Sequence, residues 1–375
     1  MRKVYKYRIY LTNGQRRILE QQLEECRWLY NEILATRKRA YEDDGISLGL
    51  YDLQNAIPAW KRERPSLKLV HSLVLQNVNM RVDLAFQAFF RRVKAGDPEA
   101  GYPRFKGRGR YDSLTYAQYG NGARLDGDQL ILSKVGAVHV VLHRPVEGQI
   151  KTVTLRRAAT GKWYVSFSCA VERKPLPQTT LVVGIDLGLE KFATLATGPD
   201  GHKPIPNPRF FRRDEADLKR VQQRLSDAKD TPDWPAYHRR KKALVRIHER
   251  ITFRRTNFAH QKSRELVDAF QIIAFEDLEP QQMGARTGRG MRKSIADAAW
   301  SQLVQSTCAK AEEAGRTVVL VDPRNTSQMC SRCGELVPKD LSVRVHECPY
   351  CGLVLDRDQN AAINILARGL QHLRL

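Results

Sequence analysis

The stretch that decides the reading begins Val318-Val319-Leu320-Val321-Asp322-Pro323-Arg324-Asn325-Thr326-Ser327-Gln328-Met329. It continues through Cys330-x-x-Cys333 and Cys348-x-x-Cys351, and closes with Asp356-Arg357-Asp358-Gln359-Asn360-Ala361-Ala362-Ile363-Asn364-Ile365. Two CxxC pairs separated by 14 residues are a zinc signal. Four thiolates complete the tetrahedral shell of one Zn²⁺, and each CxxC turn lets two sulfurs face the ion. Four-sulfur closure leaves no open coordination position, so this zinc is expected to be structural. Two disulfides or four free thiols are the alternatives. The carboxylates that follow carry more chemistry. Asp358, Ala362 and Ile365 fall at i, i+4 and i+7 and share one helical face, apolar further along. An acid on an inward stripe is costly unless it meets a cation or a donor. Asp356 precedes the stripe and reads as an N-cap. Asp358 is therefore the candidate functional acid of the two.

Working outward, 375 residues give room for two or three domains and a sizeable core. The 63 Lys and Arg against 41 Asp and Glu leave a formal net charge of +22. That excess favours a polyanion partner, most simply nucleic acid. A membrane surface is the competing reading. No basic helix carries a strong Trp/Phe/Leu stripe beside its charges, and no apolar run approaches ~18 residues. Met1-Arg2-Lys3-Val4-Tyr5-Lys6-Tyr7-Arg8 puts charge where a signal peptide needs an apolar run. Seven cysteines, four of them in the pairs, fit a reducing cytoplasm. Cys26, Cys169 and Cys308 lie in apolar patterns and read as core residues.

Residues 2–11 alternate, with Tyr5, Tyr7, Ile9 and Leu11 on one face, and read as a strand. Thr12-Asn13-Gly14-Gln15 matches a capping box for a helix ending near Gly45. A second helix runs from Leu50 towards Arg62, interrupted at Pro58, and a third from His71 to Lys94. Residues 12–95 are thus a helical module inserted after one strand. The loop Gly101–Tyr111 interleaves bases, aromatics and glycines. Arg104 and Lys106 are its candidate phosphate contacts, and a solvated connector is the alternative. Residues 123–172 are rich in Val, Thr and aromatics and are expected to form a small barrel with the first strand. Pro175-Leu176-Pro177 reads as a linker.

Past the linker, Leu181-Val182-Val183-Gly184-Ile185 is a continuous apolar run expected in a central strand, ending on Asp186. Lys191–Thr197 reads as another strand and Pro199-Asp200-Gly201 as a turn. Residues 214–268 read as mostly helical, and His238 to Arg264 holds ten Lys/Arg and a single acid, Glu249. Arg246, Arg250 and Arg254 share a face there and are candidate nucleic-acid contacts. Ile272-Ile273-Ala274-Phe275 is a further buried strand ending on Glu276. A Gly/Arg loop with Gly284, Arg286, Gly288, Arg289, Gly290, Arg292 and Lys293 follows, then a helix from Ile295 to Ala314.

Three apolar elements thus deliver acids in order: Asp186, Glu276 and Asp358. Carboxylates at the ends of adjacent strands, closed by a helix acid, can hold two Mg²⁺ about 3.5–4 Å apart and hydrolyse a phosphodiester. The motifs Gly184-Ile185-Asp186-Leu187-Gly188, Ser294-Ile295-x-Asp297-Ala298-x-Trp300, Pro323-x-x-Thr326-Ser327-Gln328-x-Cys330-x-x-Cys333, Cys348-Pro349-x-Cys351 and Asp356-Arg357-Asp358-x-Asn360-Ala361-Ala362-x-Asn364-Ile365 resemble TnpB. That family comprises transposon-encoded RNA-guided DNA nucleases related to type V CRISPR effectors. In the N-terminal half, Leu75-Gln76-Asn77 and Pro103-Arg104-Phe105 are local echoes.

The resemblance implies a multidomain α+β and α/β chain. A RuvC-like (RNase H-like) nuclease domain over 178–325 and 355–375 would use Asp186, Glu276 and Asp358 as magnesium ligands. A zinc-ribbon insert over 326–354 would bind target nucleic acid. A β-barrel wedge domain would span 1–11 and 121–175, around an inserted helical recognition domain over 12–120. The implied partners are a guide RNA from the transposon end and double-stranded DNA beside a short flanking motif, with no membrane. Lacking a His-Asn-His pattern, one site would cut both strands in turn. Two other readings compete: a guide-directed DNA-binding repressor that does not cut, and a conventional three-carboxylate transposase that needs no RNA.

Overall fold

A computed structural model describes residues 1–199, 201–228, 233–285, 287–340 and 342–374, without the side chain of Gln281. Asp200 of the expected turn and Arg286 of the expected Gly/Arg loop lie outside the described residues. The chain divides into two compact units, Met1–Glu172 and Arg173–Leu375. Among the described residues no helix is long and apolar enough to cross a membrane.

The first unit opens with β1 (Arg2–Tyr10), whose alternation buries Tyr5, Tyr7 and Ile9. Helix α1 (Asn13–Asp44) starts at Thr12. The Thr12 hydroxyl accepts from the Gln15 amide, while the Gln15 side chain accepts from the Thr12 amide. It stops at Gly45, whose φ of 68° suits a residue without Cβ. Then come α2 (Leu50–Glu63) and α3 (Ser72–Lys94). Contrary to expectation, Pro58 does not interrupt α2. It sits on the exposed face, where water can take up the carbonyl its missing N–H leaves unpaired.

Six strands follow: β2 (Ser113–Tyr116), β3 (Ala123–Asp126), β4 (Gln129–Leu132), β5 (Gly136–Val141), β6 (Gln149–Arg157) and β7 (Trp163–Ala170). With β1 they form one antiparallel sheet in the order β2-β6-β7-β1-β5-β4-β3. Its two edge strands are joined by residues 117–122 alone, so the sheet is nearly a closed barrel. Trp163, Val165, Phe167 and Cys169 line the inside of β7.

The second unit holds β8 (Val182–Leu187), β9 (Lys191–Ala196), β10 (His202–Pro206), α4 (Phe210–Asp227), α5 (Trp234–Ala269), β11 (Ile272–Glu276), α6 (Pro280–Ala285), α7 (Arg289–Ala298), α8 (Trp300–Ala314), β12 (Thr317–Val321), β13 (Val345–Glu347), β14 (Val354–Asp356) and α9 (Arg357–His372). Five strands order as β10-β9-β8-β11-β12, with β8, β11 and β12 parallel. Strand β11 is buried on both faces, as its unbroken apolar run requires.

Helix α9 lies directly on β8. A Cβ on Gly184 would come within 2.6 Å of the Leu366 amide and closer still to the Ala362 carbonyl. A Cβ on Gly369 would meet that of Ala274 at 2.7 Å. Two expectations are corrected here. The helix expected over Ile295–Ala314 is broken at Ala299, which takes a left-handed φ of 53° between α7 and α8. Cys308 is exposed, because the buried stripe of α8 runs through Trp300, Leu303, Thr307, Ala311 and Ala314 and passes it by; Cys26 and Cys169 are buried.

Candidate functional site

Parallel pairing aligns Phe275 with Ile185, so Glu276 and Asp186 leave adjacent strand ends side by side. Asp358, in the first turn of α9, joins them because α9 packs across β8. All three line one cleft of about 480 Å³ with Thr326, Arg344 and Arg357, faced by Leu278, Met283 and Trp300. Glu276 and Asp358 are each only 8% exposed.

Burial first, then the charges of Glu276 and Asp358, push the Asp186 carboxyl well above the usual carboxylate range, with Arg357 opposing. Burial also raises Glu276, against the Thr326 hydroxyl and the charge of Arg368. The Thr326 hydroxyl donates to Glu276 Oε1 at 2.5 Å. Arg357 donates to Asp358 Oδ1 from Nη2 at 3.1 Å and Nε at 3.3 Å. Asp356 takes the capping position expected of it, accepting from the Asp358 and Gln359 amides at 3.0 and 3.2 Å. It also meets Lys191 Nζ at 2.8 Å.

Two buried carboxylates and a half-buried third around one cleft call for cationic compensation, and an all-oxygen donor set fits a hard divalent ion such as Mg²⁺. Thr326, Asn360, Asn364 and Arg344 carry roles that motif spacing alone did not assign. Asn360 donates to the Met329 carbonyl and accepts from the Ser331 amide. Asn364 donates to the Thr326 and Met329 carbonyls. These two buried amides thereby tie α9 to the strand-end segment that carries Thr326 and leads into the first cysteine pair.

Cys330, Cys333, Cys348 and Cys351 bring their sulfurs together within 4.8 Å of one another. Among the described residues they are the group of potential metal ligands that converges so closely; the carboxylates are set more widely round their cleft. The pairs Cys330–Cys351 and Cys333–Cys348 stand 3.6 Å apart. That is far beyond a disulfide length. It is near the edge of about 3.8 Å that Zn–S bonds of about 2.3 Å give a tetrahedron. The two turns match: Gly334 and Gly352, both left-handed, donate to the Cys330 and Cys348 carbonyls.

The expected nucleic-acid contacts divide. Arg250 and Arg254 brace α4 against α5 through the buried Asp214, at 2.6 and 3.2 Å, while Arg246 is exposed. In the 101–111 loop, the Lys106 amide donates to Asn31, and Tyr102 stacks on Phe89 at 4.7 Å. Arg104 is exposed.

Three family models match: "Cas12f1-like, TNB domain" over residues 300–365, "Probable transposase" over 166–286 and "Helix-turn-helix domain" over 1–45. The last region is one strand and one long helix, β1 and α1. The chain is 35% identical over 382 residues to a Streptomyces pristinaespiralis protein named "Putative RNA-guided DNA endonuclease", covering 99% of this chain and 90% of that one. It is 29% identical to an Escherichia coli K12 protein named "Putative RNA-guided DNA endonuclease InsQ", covering 92% and 86%. In fold it is similar to the structure titled "mini-RNA-guided endonuclease CRISPR-Cas_phi3", with a TM-score of 0.54 at 9% identity over 98% and 92% of the two chains. Fold and cysteine cluster together define a multidomain α+β protein of Cas12-like architecture. Within that class, the chain belongs to the TnpB family.

Proposed function

We propose that the chain is an RNA-guided DNA endonuclease whose cutting centre is the cleft of Asp186, Glu276 and Asp358. The observation that carries this reading is the meeting of three sequence-distant acids in one cleft, Asp186 and Glu276 from neighbouring strand ends and Asp358 from the first turn of α9, with the charge of Arg357 acting on Asp186. The names of the two bacterial relatives supply the substrate class and the guide. Mg²⁺ held by the three carboxylates, as two ions, would activate water and stabilise the leaving 3′-oxygen of a phosphodiester. The chain's own residues do the rest. Thr326 fixes one oxygen of Glu276, Asp356 caps α9 so that Asp358 is presented at a rigid helix start, and the apolar wall of the cleft limits water.

On this reading, a RuvC-like domain spans 178–325 and 355–375, interrupted by a target-binding zinc insert over 326–354. A wedge barrel takes 1–11 and 121–175 together with β2 (Ser113–Tyr116), which the expected 12–120 recognition module gives up to the barrel sheet; the recognition module is the helical part, α1 to α3. The partners are a guide RNA from the transposon end and double-stranded DNA next to a short flanking motif. The quartet of thiolates holds one structural Zn²⁺, consistent with a reducing cytoplasm. Arg104, Lys106 and Arg246 contact phosphates, with Arg250 and Arg254 secondary because Asp214 already engages them.

The test assays Asp186→Ala, Glu276→Ala, Asp358→Ala and Asp356→Ala on target DNA with co-purified RNA and Mg²⁺. The first three should bind guided DNA without cutting, since binding rests on phosphate contacts and base pairing. Asp356→Ala should still cut. Cutting by all four would move the centre elsewhere. Absence of a defined co-purifying RNA would return the conventional transposase reading, and guided binding without cutting by the parent protein would return the repressor.

A further inference from the structure

The start of α9 carries two acids, and one lysine faces both. Asp356 divides its carboxylate. Its Oδ1 accepts from the Asp358 and Gln359 amides, and its Oδ2 accepts from Lys191 Nζ at 2.8 Å. Asp358 is divided too. Its Oδ1 accepts from Arg357, and its Oδ2 stands 3.9 Å from the same Lys191 Nζ. That second distance is an ion-pair separation, too long for a hydrogen bond. The ammonium is thus drawn aside by Asp356 and kept just short of the acid that lines the cleft.

The backbone fixes this arrangement. Lys191 opens β9, directly after the short turn that follows β8 and its Asp186. The Gly188 amide donates to the Phe192 carbonyl at 3.2 Å, and a Cβ on Gly188 would come within 2.8 Å of the Lys191 carbonyl. So tight a turn holds Lys191 beside the strand end that delivers Asp186. From the other side, the Gln359 side chain donates to the Pro199 carbonyl and ties α9 to the segment that follows β9. The side chains of Asp358 and Lys191 are 11% and 31% exposed, so water screens the pair less than it would at an open surface.

A fixed positive charge at that range works against a dication on the same carboxylate. Resting on the nuclease reading above, we infer that Lys191 is a positioning residue that sets how tightly the acid cleft binds Mg²⁺, and that Asp356 is the tether that keeps its ammonium off Asp358. Without metal, Lys191 supplies part of the compensation the acids need. On metal binding, Asp356 retains the ammonium, and Asp358 Oδ2 is freed with no hydrogen bond to break. The cap of α9 thus has a second task, which capping alone does not require.

The experiment measures the Mg²⁺ concentration that gives half the full rise in Tm, in the full chain washed free of RNA at high salt. The Mg²⁺ midpoint of single-turnover cutting, in the RNA-bound chain, is the second readout. Lys191→Gln should lower both midpoints by about 3- to 10-fold, the scale of one partly screened charge at that range. Lys191→Arg keeps the charge and should stay within about twofold of the parent. Asp356→Asn keeps a good helix cap but loses the tether. Its freed Lys191 should settle on Asp358 and raise both midpoints about tenfold, a shift that saturating Mg²⁺ would mask. In the Lys191→Gln background the same change should move them by about twofold at most. Parental midpoints in Lys191→Gln, or an equal effect of Asp356→Asn in both backgrounds, overturn the inference. If Asp186→Asn abolishes the Tm rise while Lys191→Gln stays parental, the nuclease reading stands without it. If Asp186→Asn keeps the full rise, both fall.

Discussion

On the proposed reading, Asp186 is a side chain that costs the metal-free fold stability when ionised and yet is needed for cutting. Its folded carboxyl binds protons more tightly than an unfolded one, as does that of Glu276. The stability this lends is therefore complete below the ordinary carboxylate range and is lost as pH rises through the raised values. In magnesium-free buffer, thermal unfolding should show Tm falling as pH rises above the ordinary carboxylate range, with Mg²⁺ restoring it. Asp186→Asn should flatten that slope, raise Tm without metal and abolish the Mg²⁺ shift; an unchanged slope would remove these acids from the cause. Asp356→Ala should lower Tm through loss of the cap, about 1 kcal/mol, and leave cutting intact. That contrast between neighbouring acids was legible in the sequence, because the period of Asp358, Ala362 and Ile365 points one inward and leaves the other at the cap. What spacing could not give was the Asp214 partner of Arg250 and Arg254, some forty residues away. A basic face and a brace look alike until the second helix is in place.

At the scale of elements, β8, β11 and α9 were legible because buried strands must be continuously apolar and their terminal acids break the run. Strand β10 was not: it carries Pro204 and Pro206 and pairs only with β9, an edge position where prolines are tolerated. The break at Ala299 was not either, since Ala favours helix and yet takes a left-handed φ just before the buried Trp300. The contact of β8 with α9 makes a sharp prediction. Gly184→Ala has nowhere to put its methyl except against the α9 backbone. It should lower stability by about 2–3 kcal/mol through overpacking, and cutting should fall with it, because the helix that carries Asp358 is displaced. Calorimetry and single-turnover assays would read both, and a wild-type Tm would refute the close contact. Cys348→Ser should reduce bound zinc from about one ion per chain towards none and loosen 326–354, read by metal analysis and limited proteolysis.

For the whole molecule, the net charge of +22 is a statement about encounter rather than chemistry. RNA affinity should fall steeply with salt, and Arg246→Gln should reduce the slope of log K against log salt by about one. Replacing Arg250 and Arg254 together should instead lower Tm, on the order of 3 kcal/mol, by leaving Asp214 buried without a partner. A slope unaffected by Arg246→Gln would put α5 off the nucleic-acid path. The order in which the acids are written along the chain has a separate effect. Asp186 and Glu276 are made early, but Asp358 arrives only with the helix that also covers Gly184 and Ala274. A chain cut short before that helix would carry two of the acids and leave a sheet face uncovered. On the proposed nuclease reading, such a product would be disarmed by the fold itself.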